Sequence, residues 1–253
     1  MKYILFIGLI VLRIYTASAQ TEAERFKDEK FNNKSLSHTE MKDQLIKYDF
    51  SRLFTFTDNS MVYGFIGDNY QRIRIKFIKV EKDTLSPDTY HIYGKSMVKG
   101  NIDEFTGTIK ISDIRKFKPL LHGCENTKKY KGYKGEFILL GDYNFRENIA
   151  LNHTGIFTGS FRSDFFVNKN NQVRYDDIED CSDGYTNNQF VGKWTDYKSR
   201  QSKKCNWGDF RVPFSGDLDI GAGEFSPNDK YLKHGWQSLR DLNKNIENAK
   251  WWK

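Results

Sequence analysis

The sequence predicts an all-β protein: an antiparallel meander barrel of eight or nine strands with a short helix before it and a helix after it. Three observations carry this. Four segments repeat aromatic-x-Gly-x-apolar: Phe105 to Ile109, Tyr133 to Phe137, Phe157 to Phe161, and Phe190 to Trp194. At a period of two the aromatic residue, the glycine and the second apolar residue share one face, while Thr106, Thr108, Lys110 and Ser112 face the other way. That alternation marks a strand wet on one side. Second, strand-like runs follow one another with short, turn-rich links such as Asn168 to Gln172, so sequence neighbours pair as a meander. Third, aromatic residues make up 15% of the chain and supply a large core. Eight or nine strands close into a barrel or fold into a sandwich. Glycine on the inward face allows tight curvature under a neighbour's ring and favours the barrel.

Residues 1–19 carry Lys2, an apolar run from Tyr3 to Val11, and Ala17-Ser18-Ala19 before Gln20, the pattern of a cleavable secretory signal. The run is too short to span a bilayer, so no membrane span is expected after cleavage. A secreted or periplasmic location follows. Cleavage removes Lys2 and Arg13 from 40 basic residues and leaves all 33 acidic ones, a net charge of about +5. So mild an excess on an exported chain excludes nucleic acid as a partner.

Residues 20–36 are polar and read as a flexible lead-in to a single domain over 37–253. Ser37-His38-Thr39-Glu40 has the form of a capping box opening a short helix to about Lys47. Strands are expected near 61–67, 70–80, 89–95, 104–112, 133–146, 155–168, 172–177, 190–198 and 206–214. Beyond residue 225, Trp236, Leu239, Leu242 and Ile246 recur at three and four, predicting an amphipathic helix near 234–252 packed on the barrel.

In a meander, connections alternate between the two ends. Counting places the loops near 68, 96–103, 147–154, 178–189 and 215–225 at a far end, and 81–88, 113–132, 169–171 and 199–205 at a near end. Cys124 and Cys205 then share the near end and form the one disulfide, with Cys181 at the far end left free. Charge is also expected to separate. Arg115, Lys116, Lys118, Lys128, Lys129, Lys131, Lys198, Arg200, Lys203 and Lys204 would gather at the near end. Asp176, Asp177, Glu179, Asp180, Asp183, Asp217, Asp219 and Glu224 would gather at the far end, with His153 adjoining.

Asp217-x-Asp219 with Gly221, Gly223 and Glu224 has the oxygen-rich look of a calcium loop, but it departs from the helix–loop–helix hand pattern, and carboxylates capping glycine turns explain the same residues. Calcium is the one cofactor this suggests. Asp180, or Asp177, facing Asp219 could serve a carbohydrate-active hydrolase as a carboxylate pair. No nucleophile elbow, phosphate-binding glycine loop or paired histidines occur, and His38, His91, His122, His153 and His234 are scattered.

A barrel can also hold one small hydrophobic ligand against inward aromatics, for which Trp194, Phe161, Phe137 and Phe157 are the candidates. Gly192-Lys193-Trp194 resembles the glycine-x-tryptophan of lipocalins, which implies a lipocalin- or avidin-like barrel and small-hydrophobe binding, although that family carries the motif on its first strand. The stretches YGFIGDNYQRIRIKF, DGYTNNQFVGKW and CNWGDFRVPFSGDLDIGAGEFSPNDKY resemble exported β-rich proteins of Bacteroides-type bacteria, a group that implies an envelope setting and no particular activity. The expectation is an exported, non-enzymatic barrel that binds a small ligand or an envelope, protein or glycan partner. A hydrolase acting through the acidic loops and a structural envelope protein are the alternatives.

Overall fold

Ten strands are present in the computed structural model, which describes residues 20–31, 35–119 and 130–253. They are β1 (Leu36–Glu40), β2 (Val62–Ile66), β3 (Gln71–Lys82), β4 (Thr89–Val98), β5 (Asn101–Phe117), β6 (Gly135–Glu147), β7 (Gly155–Val167), β8 (Val173–Tyr175), β9 (Asn187–Asp196) and β10 (Ser202–Asp209). The order β5-β4-β3-β2-β10-β9-β7-β6, with β6 returning to β5, closes an antiparallel eight-stranded barrel. Strand β1 adds to the overhanging end of β5, and β8 adds to β7. The expected signal segment lies outside the described residues, and no described helix is long and apolar enough to cross a membrane.

The inward face follows the period-two reading. Phe157, Phe161 and Phe165 of β7 and Phe190 and Trp194 of β9 are buried, as are Phe105, Ile109 and Ile111 of β5. The glycines among them sit under rings: a Cβ on Gly94 would lie 2.5 Å from Phe105, and one on Gly141 2.6 Å from Phe161. Ring and glycine together let the wall bend without leaving a void.

One end of the barrel is plugged. The 3-10 turn Ser51–Thr55 brings Phe50, Leu53 and Phe54 into the core. Phe50 meets Phe165 at 5.1 Å, Phe54 meets Phe161 at 5.6 Å, and the Phe50 N–H donates to the Tyr90 hydroxyl at 3.1 Å.

Strand β8 changes the loop count. It is three residues long and pairs with β7 through Val167↔Val173, so it is a flap on the wall and not a stave. The next stave, β9, returns to β7 with Gly155↔Asp196 and Arg162↔Gln189. Every later loop therefore falls at the end opposite to the expected one. The 197–201 turn joins the 67–70, 99–100 and 148–154 turns at the open end, while residues 168–186 and 219–225 lie at the plugged end; the chain beyond returns outside the wall to the open-end turn, where Tyr231 and Trp236 meet Tyr70.

Two expectations fall with the count. Cys205 is a free thiol, wholly buried in the barrel, so it forms no bridge. Cys181 is disulfide-bonded, and Cys124 lies outside the described residues. Nor is charge separated along the axis. The acidic loops share their end with Arg115, Lys116, Lys118 and Lys131, while Lys198, Arg200 and Lys203 stand at the other; Lys128 and Lys129 lie outside the described residues.

The flanks differ as well. The expected flexible lead-in is helical over α1 (Glu22–Phe31). Its capping box is Thr21 and Glu24: the Thr21 N–H donates to Glu24 Oε2 at 2.7 Å, and the Glu24 N–H to Thr21 Oγ1 at 3.2 Å. Phe26 is the helix's buried anchor, 6.0 Å from Phe214. Ser37 to Glu40, expected to cap a helix, is strand β1, and a single helical turn, α2 (Lys42–Leu45), follows it. The C-terminal helix is broken into α3 (Gln237–Arg240) and α4 (Lys244–Glu247), separated by Leu242 with φ +51°.

Candidate functional site

A cavity of about 1280 Å³ opens at the end the plug leaves free. The strand register builds it in layers. Tyr143, Gly159, Gly192 and Cys205 are successive partners across β6, β7, β9 and β10, and they form the layer beneath. Two residues nearer the mouth, Phe145, Phe157, Trp194 and Lys203 are partners in the same way. Phe157 and Trp194 line the cavity with Ile66, Ile73 and Val98, while Lys99, Lys198 and Lys203 stand exposed at its rim.

Glu147 is the unusual group of this site. It continues the inward series Tyr143, Phe145 on β6, lines the cavity, and is only 6% exposed. Ser96 Oγ donates to its Oε1 at 2.8 Å; the Gly155 N–H and Trp194 Nε1 donate to its Oε2 at 2.8 and 2.9 Å. Burial pushes the carboxyl above the usual range, the three donors pull it back, and the nearby Asp103 carboxyl pushes it further up. Asp103 itself is half-buried, lines the cavity, and is raised by burial. The Lys203 ammonium lies 5.8 Å from the centre of the Trp194 ring.

Of the four aromatics expected to bind ligand, the structure brings Trp194 and Phe157 to the cavity. Phe161 and Phe137 do not line it; they are buried against Phe190 and Phe165 at 5.6 and 5.2 Å. Sequence reading missed Glu147, Asp103 and Ser96. The signal was present in the pattern Tyr143-x-Phe145-x-Glu147, where the inward period carries on past the aromatics into a carboxylate.

The acidic loops do lie side by side, with the Gly184 N–H donating to the Gly223 carbonyl at 2.9 Å, but at the plugged end. The carboxylates of Asp177, Asp217 and Asp219 bond within the protein. Asp219 Oδ2 takes Arg211 Nε at 2.8 Å, and its Oδ1 takes the Gly221 and Ser226 N–H groups at 3.0 and 3.1 Å. The same guanidinium reaches the carbonyls of Gly221 at 2.7 Å and Gly223 at 2.9 Å, so the cation at the centre of this oxygen-rich loop is Arg211. Asp217 accepts from Tyr231 at 2.6 Å and pairs with Lys230. Asp177 accepts from the Tyr130 hydroxyl at 3.1 Å, and Asp180 is exposed. Among the described residues no three His, Cys, Asp or Glu side chains converge as a metal site. Asp219 thus shapes the 219–226 turn through its bonds to the Gly221 and Ser226 N–H groups.

Comparison of the chain with protein-family models, with curated proteins and with solved structures finds no match. The functional reading therefore rests on the cavity.

Proposed function

We propose that this is an exported β-barrel that captures a small organic ligand in its open mouth, without catalysis. The observation that carries the reading is the cavity itself: about 1280 Å³, walled by Trp194 and Phe157, with a buried, hydrogen-bonded carboxyl on its lining. Ligand pockets are concave, largely apolar and furnished with a few placed polar groups, with volumes of roughly 300 to 1000 Å³. This one is larger than that range, at about 1280 Å³. Export is supported by the basic residue, apolar run and small-x-small ending of residues 1–19.

Native mass spectrometry of the mature chain purified from the periplasm tests it, together with a Val98→Trp variant whose side chain would project into the cavity from its half-buried wall position and obstruct ligand seating against Trp194 and Phe157. The expected result is an organic adduct on the wild type that denaturation releases and Val98→Trp lacks. A bare wild type, or an adduct equally abundant on Val98→Trp, would overturn the reading.

A further inference from the structure

Four carboxyls line the cavity, those of Asp68, Asp103, Glu147 and Asp196, and among the described residues neither Glu147 nor Asp103 has a cation beside it. For Glu147 the neighbouring influences are burial, three neutral donors and another acid, and for Asp103 burial alone. A buried carboxylate without a counter-charge is costly, and neutral hydrogen bonds compensate it only in part. A carboxylate can accept about four hydrogen bonds. Glu147 receives three, two on Oε2 and one on Oε1, so an acceptor position on Oε1 is unused although the side chain is nine-tenths buried on the cavity lining. Asp103 receives none from any described side chain.

The aromatic wall points to the same partner. An indole face attracts cations within about 6 Å of the ring centre. The Lys203 ammonium already occupies that relation to Trp194 at 5.8 Å, held by the protein's own chain. The rim lysines do not reverse the balance, because Lys99, Lys198 and Lys203 are exposed and screened by water and salt, whereas Glu147 acts from a low-dielectric position.

We propose that the cavity takes an organic cation, a primary ammonium or guanidinium group on an apolar body. Its charged N–H groups are donated to Glu147 and Asp103, and its body lies against Trp194 and Phe157. The inference rests on the cavity being the binding site.

Calorimetric titration of the full mature chain with octylammonium, octanol and octanoate tests it, since the three probes share a tail and differ in headgroup charge. The expected order is octylammonium at least tenfold tighter than octanol, with octanoate weakest. Asp103→Asn and Glu147→Gln should each weaken octylammonium about tenfold and leave octanol unchanged. Asp103→Asn is the safer variant for folding, because Asp103 is half-buried and bonded to no described side chain. Octanoate binding more tightly than octylammonium, or octylammonium affinity unchanged in Asp103→Asn, would overturn the cation assignment while octanol binding upheld the cavity. If none of the three probes bound, the assignment and the cavity reading would both fall.

Discussion

Asp209 shows how much of this fold hangs on single buried polar groups. One of its oxygens accepts from Thr57 at 2.7 Å, Tyr175 at 2.9 Å and Asn188 at 2.8 Å, so it ties the chain beside the plug, the flap strand β8 and the start of β9 to the end of β10. The carboxyl is fully enclosed, and burial pushes it up from 3.8 to about 6 against the pull of those donors. Such a rise is worth up to about 3 kcal/mol between the two protonation states. Because the folded value lies above the unfolded one, the contribution to stability is complete below about pH 4 and is lost as pH rises through about 6. Asp209→Asn cannot titrate. Urea unfolding of both proteins should therefore show the wild type losing up to about 3 kcal/mol relative to the variant between pH 4 and pH 7.5, whatever constant offset the amide introduces. A pH-independent difference would show that folding leaves the Asp209 carboxyl unshifted.

Among the elements, the staves were legible because a barrel wall imposes a strict inside-outside alternation, and nearly every stave carries it in its aromatics and glycines. The helices and the flap were not. Over residues 22–29 helix α1 buries only Phe26, an anchor and not an apolar stripe to read. Strand β8 looks in sequence like any other short strand; pairing on one side only is a tertiary fact, and missing it displaced Cys181, Cys205 and both charged groups of loops. At the C-terminus the spacing of Trp236 and Leu239 was real, but Leu242 in the left-handed region and the Asn243 cap split the helix. What holds those fragments is electrostatic. Glu247 on α4 takes Arg72 in two bonds of 2.9 and 2.6 Å, Arg74 at 3.0 Å and Ser238 Oγ at 2.6 Å, with both ends of the Arg72 pair below 10% exposure. Removing one member of a buried ion pair strands the other and costs about 3 kcal/mol. Glu247→Ala should consequently raise amide exchange across 236–248 roughly 100-fold, the rate equivalent of that energy, while exchange in β5 to β7 stays as it was. Unchanged exchange in that segment would mean that Trp236, buried and bonded to the Tyr70 carbonyl at 2.8 Å, holds it alone.

At the scale of the whole molecule, the barrel is plugged at one end, packed through the middle and open at the other, and sequence pattern reports which residues face inward but not how deep they lie. Trp194 and Phe161 carry the same inward signal, yet one meets the cavity and the other the core. The boundary between the two regions is the layer in which the Tyr143 ring lies across two glycines. A Cβ on Gly192 would stand 2.1 Å from the Thr158 carbonyl oxygen and 2.6 Å from the Tyr143 hydroxyl, and one on Gly159 2.8 Å from the same hydroxyl. That hydroxyl is fully buried with no hydrogen-bond partner among the described residues. A buried unsatisfied polar group costs about 1 to 3 kcal/mol, so Tyr143→Phe should stabilise the protein by about 1 kcal/mol. Gly192→Ala overpacks the same layer and should destabilise it by about 2 kcal/mol or more. Because both changes act on one contact, the double variant should recover part of the alanine's cost, a coupling of about 0.5 kcal/mol or more in a double-mutant cycle of urea unfolding. Additive effects would locate the strain at the Thr158 carbonyl instead. Octanol affinity should be unchanged in Tyr143→Phe, since the hydroxyl lies in the layer beneath the cavity and the variant alters only the packing on which the open mouth stands.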